Sequence, residues 1–221
     1  MSKTSISFRV PTALWRNFKQ QTDALFLSRA PFLDHVLHIE LNHLSSDLDG
    51  TKLSSRTKRY IANKFPRENV SVNIDVSPQT AKQLRDVLGQ HNLVRDAFMA
   101  RLIIFLRGGK YILNDLEIPH EITATGPWAQ LDLPSMSTSP MRAMGDVLED
   151  PLYYVREYVR YRWGMGLYVI DLHPDLDWAA CTLAPDRVEG SGAFNKAKKQ
   201  REQSPALMRL LDNAPKLKNG A

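Results

Sequence analysis

The chain's 221 residues, 43% of them hydrophobic, suffice for one large folded domain or two small ones. A single cysteine, Cys181, excludes an internal disulfide and a four-cysteine metal site, and no run of 18 apolar residues is present to span a membrane. The net charge of +5 splits into +8 over residues 1–110 (17 Lys and Arg against 9 Asp and Glu), −8 over 111–189 (5 against 13) and +5 over 190–221 (7 against 2).

Ser5-Ile6-Ser7-Phe8-Arg9-Val10 alternates, so Ile6, Phe8 and Val10 line one face of a short strand and Ser5, Ser7 and Arg9 the other. Pro11 ends it, because proline brings no N–H to a ladder. Leu14, Trp15, Phe18, Thr22 and Leu25 then recur at helical spacing. A second helix is predicted from Ser28, an N-cap residue type, through Phe32, Leu33, Val36, Leu37, Ile39 and Leu44. Residues 45–69 read as a basic connector with Lys52, Arg56, Lys58, Arg59, Lys64 and Arg67, and one helical turn is expected around Arg59–Lys64.

The opening pattern then returns. Val72, Ile74 and Val76 alternate with Ser71, Asn73 and Asp75, and Ser77-Pro78 supplies an N-cap with proline at the first helical position. That helix is predicted to stop at Gly89, and a further one carries Phe98, Leu102, Ile103 and Phe105 before Gly108-Gly109. A constant shift of 66 residues superimposes Ile6, Phe8 and Val10 on Val72, Ile74 and Val76 without a gap. It also places Phe18 on Leu84, Leu27 on Leu93, Arg29 on Arg95, and Phe32 on Phe98. This is an internal repeat. A lone strand leaves its backbone groups without partners. Two copies in one chain predict an antiparallel ribbon over four helices, although pairing between chains would satisfy the same groups.

A strand followed by two helices, repeated over residues 4–44 and 70–108, resembles the ribbon-helix-helix (Arc/MetJ/CopG-type) family of DNA-binding proteins. With two units in one chain, it looks like the single-chain, TraY-like variant. The resemblance implies a mainly α fold with a two-stranded antiparallel ribbon, a tandem pseudo-dimer whose ribbon enters the major groove. The implied base readers are Ser5, Ser7 and Arg9, and Ser71, Asn73 and Asp75. Arg suits guanine, Asn adenine, and Asp the amino group of cytosine. The family also seats a phosphate at the start of its second helix, which implies roles for Ser28 and Arg29 and for Arg95, with Val94 in place of the hydroxyl. Lys58 and Arg59 of the connector are added as phosphate contacts on charge. Asp75 stands where the first unit has Arg9, so the second strand reads a different half-site or is structural.

The organisation expected is a tandem domain over 1–110, an acidic C-terminal α+β or partly irregular region over 111–189, and a basic, flexible tail over 190–221. Tyr153, Tyr154, Arg156, Tyr158, Arg160, Tyr161, Arg162 and Trp163 read as an amphipathic helix leading into a strand, with base stacking or a protein interface as the other reading. Residues 120–145 read as a linker, and a short helix is expected near Ala206–Leu211. Asp171, His173, Asp175 and Asp177 have the chemistry for a divalent ion or acid–base work, but strand alternation and a turn at His173-Pro174 account for them. His38 and His43, which share a helix with His35, point about 140° apart, so no metal is expected.

The expectation is a sequence-specific double-stranded DNA-binding protein, a transcriptional regulator of a plasmid or other mobile element, with no catalytic residues and no cofactor. MSKTSISFRV lacks an apolar signal stretch, which predicts a cytoplasmic location. It would act as a monomer with an internal pseudo-dimer or as a homo-oligomer on DNA. Two alternatives stay open: a relaxosome or partition accessory factor, and an antitoxin-like module that holds a protein partner through residues 111–221.

Overall fold

Alternation along the two predicted strands produces the two-faced ribbon that a period of two demands. In the computed structural model, which describes residues 3–118 and 150–202 with the backbone of 121–122 and 136–137, β1 (Thr4–Pro11) pairs antiparallel with β2 (Asn69–Val76). Ile6, Phe8, Val10, Val72, Ile74 and Val76 are buried beneath it, each contributing roughly 2 kcal/mol. The remainder is mainly helical.

Helix α1 (Thr12–Ala24) follows β1 directly, and α2 (Arg29–Asp47) buries Phe32, Leu33, Val36, Leu37, Leu41 and Leu44. Helix α3 (Ser55–Lys64) is longer than the predicted single turn, and its start is capped by Ser54 Oγ, which accepts from the Thr57 amide at 3.1 Å. Ser77 caps α4 (Pro78–Gln90) in the same way, at 3.0 Å from the Thr80 amide. Helix α5 (Arg95–Arg107) ends at Gly108 in the left-handed conformation, followed by α6 (Lys110–Asp115). The predicted stop at Gly89 is passed: α4 runs to Gln90, and the left-handed residue that turns the chain is Asn92, with φ 55°.

The 66-residue shift holds in the backbone of both helix–helix turns. Leu25, Phe26 and Leu27 amides donate to the carbonyls of Gln21, Asp23 and Thr22. His91, Asn92 and Leu93 amides donate to those of Val87, Gly89 and Leu88. Phe26 shares the φ of Asn92, 55°.

Beyond α6, the backbone of β3 (Glu121–Ile122) pairs antiparallel with that of β4 (Met136–Ser137). The rest of the predicted linker lies outside the described residues. Helix α7 (Tyr153–Trp163) buries Tyr154, Val155, Arg156, Tyr158 and Val159, so those tyrosines are core groups. Among the described residues, no strand follows it. Residues 166–170 form a tight turn, and the carbonyls of Leu167 and Ile170 are taken by the buried Arg101 guanidinium at 2.8 and 2.6 Å, which leaves no ladder to join. The Tyr168 ring packs on Phe98, 5.8 Å between centroids.

Through these contacts the segment after 150 shares the core of the helices before residue 110. The compact units are Met1–Thr182 and Leu183–Ala221. In the second unit Gly192–Glu202 of the tail form α8, whose start is capped by Ser191 Oγ accepting from the Phe194 amide at 2.9 Å. The helix expected near Ala206–Leu211 lies outside the described residues. Among those described, no helix is long and apolar enough to cross a membrane.

A buried polar cluster joins α2 to α7. Arg156, 3% exposed, donates to Glu40 and to Asp150, and Tyr168 Oη donates to the second Glu40 oxygen at 2.6 Å. Burial raises the Glu40 carboxyl from its ordinary 4.5 to about 7, against the opposing pull of Arg156. In that window the folded protein holds a proton that the unfolded chain has released, so stability falls as pH rises from about 4.5 to 7. His43 acts in the opposite sense: burial lowers its pKa, which costs stability as pH drops below 6.5. Subtracting a Glu40→Gln variant isolates the carboxyl. Urea titrations should show wild type losing on the order of 2 kcal/mol relative to Glu40→Gln between about pH 5 and 8, whereas parallel curves would contradict this.

Candidate nucleic-acid interface

All six predicted base readers lie on the exposed face of the ribbon, where they form three cross-strand pairs: Ser5 with Asp75, Ser7 with Asn73, and Arg9 with Ser71. The pairing is centred on residues 7 and 73, which are 66 apart, so exchanging the two halves maps the register onto itself. The charges break that symmetry. One end of the ribbon carries Arg9 and the other Asp75.

Arg9 already has a partner. Its amide and Nε donate to the two oxygens of Asp96, at 2.9 and 2.7 Å, and its guanidinium lies 5.4 Å from the Phe65 ring centroid. The side chain is still 53% exposed, and an ion pair this wet contributes about 0–1 kcal/mol, so a stronger acceptor competes with it readily. No sequence signal joins residues 9 and 96. The residue equivalent to Asp96 in the first half is Ala30, so Asp75 has no counterpart of this pair.

The predicted phosphate residues divide unequally. Ser28 sits at the N-cap of α2, and its hydroxyl makes no capping bond. Arg29 donates to Asp23 and, at 3.5 Å, to Thr22 Oγ1. In the second half, Arg95 Nη1 donates to the Ser7 carbonyl at 3.2 Å, which ties the start of α5 to the centre of the ribbon. Lys58 and Arg59 of α3 stand beside it. With Arg85, a residue the sequence reading did not single out, they line an open cavity of about 580 Å³ that also touches Ser7, Arg95 and Asp96. Arg85 is the repeat equivalent of Lys19, and that correspondence was the available signal for it.

The acidic cluster near residue 173 is engaged in turn formation. His173 Nδ1 accepts from the Asp175 amide at 3.3 Å, the His173 amide donates to Asp115 Oδ2 at 3.1 Å, and Tyr60 Oη donates to Asp177 at 3.4 Å. Among the described residues, no three His, Cys, Asp or Glu side chains are grouped to hold a metal ion. No family model, curated protein or solved structure matches the chain.

Proposed function

We propose that this chain is a sequence-specific double-stranded DNA-binding protein, a cytoplasmic transcriptional regulator built as a single-chain ribbon-helix-helix pseudo-dimer. In this reading the two strand–helix–helix units act as the halves of a dimer. The outer ribbon face enters the major groove and its side chains meet base edges. A monomer suffices, since the chain's own two strands complete the ribbon.

The observation that carries this reading is the ribbon face itself. Its six outward side chains are all exposed and polar, and all can donate to or accept from bases. Such a surface has no role in the core, which the six inward residues already serve. Arg95, Lys58, Arg59 and Arg85 adjoin its centre and supply the sequence-independent attraction to phosphate.

Selection from a random duplex library, followed by fluorescence anisotropy, tests it. The selected duplex is expected to bind at least about a thousandfold more tightly than a scrambled one. About four phosphate contacts predict a slope near −4 in log affinity against log salt. Failure to enrich any duplex, with equal weak binding to all, would contradict the proposal.

A further inference from the structure

The two halves share their backbone turns but not the side chains on them, and this asymmetry extends the DNA-binding reading on which the following rests. In the second half His91 and Asn92 stitch the connector down. The Leu53 amide donates to the His91 carbonyl at 3.0 Å, and His91 Nδ1 lies 2.7 Å from the Thr51 carbonyl oxygen. Asn92 Nδ2 donates to the Leu53 carbonyl at 2.8 Å and its Oδ1 accepts from Lys58 Nζ at 3.1 Å. The first-half equivalents are Leu25 and Phe26, whose side chains have no polar group to do this. Phe26 is 96% exposed although it adopts the same left-handed backbone as Asn92. Of the two helix–helix turns, the second therefore holds the segment that leads into α3, whose Tyr60 also donates to Asp177.

Docked there, α3 brings Lys58 and Arg59 to a cavity whose walls also hold Arg85 and Arg95. Among the described residues, the only carboxylate on those walls is Asp96, which Arg9 already neutralises. Both Arg59 and Arg85 are exposed, and among the described residues neither has an ion-pair partner. Four cations around one hollow repel each other until an anion enters it. At the first-half equivalents of Arg85 and Arg95 stand Lys19 and Arg29, and Arg29 is held by Asp23. The ribbon's charge polarity, Arg9 at one end and Asp75 at the other, adds a second difference between the halves.

We propose that the chain seats on its DNA site in one fixed orientation, with α3 clamping the phosphate backbone beside the second half alone. The ligand of the cavity is the DNA backbone next to the bases that the ribbon reads.

An iron–EDTA cleavage group on Asn63→Cys, an exposed position of α3, reads the orientation, because the native Cys181 is 1% exposed and escapes labelling. On the selected duplex, cleavage is expected at one end of the site, and it should move with the duplex when the site is inverted in its fragment. The Arg59→Ala/Arg85→Ala variant removes two surface cations that make no ion pair among the described residues. It should lower affinity about tenfold at physiological salt and make the salt slope shallower by about 2. Backbone protection should be lost at that same end. Equal cleavage at both ends overturns the fixed orientation. An unchanged slope in the double variant overturns the clamp. Either result, in a wild type that still prefers the selected duplex, leaves the DNA reading standing, whereas a wild type without any preference overturns both.

Discussion

Replacing Arg156 by alanine is expected to cost about 3–5 kcal/mol in urea denaturation, a large part of the roughly 5–15 kcal/mol that holds a typical domain together. Arg156 and Glu40 are 3% and 1% exposed, and the guanidinium bridges Glu40 and Asp150. Removing it leaves the Glu40 carboxylate buried with Tyr168 Oη as its remaining donor. Uptake of a proton limits that cost, so the loss should be larger above about pH 7 than below it. The intact pair is not expected to outperform an apolar replacement, because desolvating two charges offsets most of their attraction. A Glu40→Leu/Arg156→Met double variant should accordingly recover most of the stability lost by Arg156→Ala. A loss below about 1 kcal/mol in the single variant would mean that the segment after residue 150 is not docked on α2 through this cluster.

The parts legible in the sequence were those whose signals are local. Pro11 and Ser77-Pro78 mark where a period of two gives way to a helix, and both strand–helix junctions fall there. The 66-residue shift carries the rest of each unit. The full length of helix α3 is masked in the sequence by the basic residues around it, although Ser54 caps its start at the Thr57 amide and Ile61 and Phe65 share one face. Phe98, Leu102, Ile103 and Phe105 mark helix α5, yet DAFMARLIIFLR is apolar on nearly every side, which is the mark of a helix covered all round. Its second cover is the segment after residue 150. Buried charges were illegible. Glu40 and Arg156 are 116 residues apart, and nothing in either neighbourhood announces the other. The same holds for the site: the outward face of the ribbon follows from alternation alone, but the pairing of Arg9 with Asp96, 87 residues away, is visible only in three dimensions.

Arg9 and Asn73 carry the largest functional prediction. They are the two side chains on the ribbon face able to make bidentate contacts to guanine and adenine, each worth about 1–3 kcal/mol of discrimination. Arg9 must first leave Asp96, which returns up to about 1 kcal/mol. Together these place the loss in Arg9→Ala/Asn73→Ala at about a hundredfold in preference for the selected duplex. Both positions are exposed, so the fold should tolerate the change.

The most direct measurement is anisotropy binding of wild type and Arg9→Ala/Asn73→Ala to the selected and scrambled duplexes, with salt titrated. If the ribbon reads bases, the variant loses about a hundredfold on the selected duplex while its binding to scrambled DNA changes only by the one charge removed. If the variant keeps the wild-type preference, or loses both duplexes in equal measure, the ribbon is not the reader and the account fails.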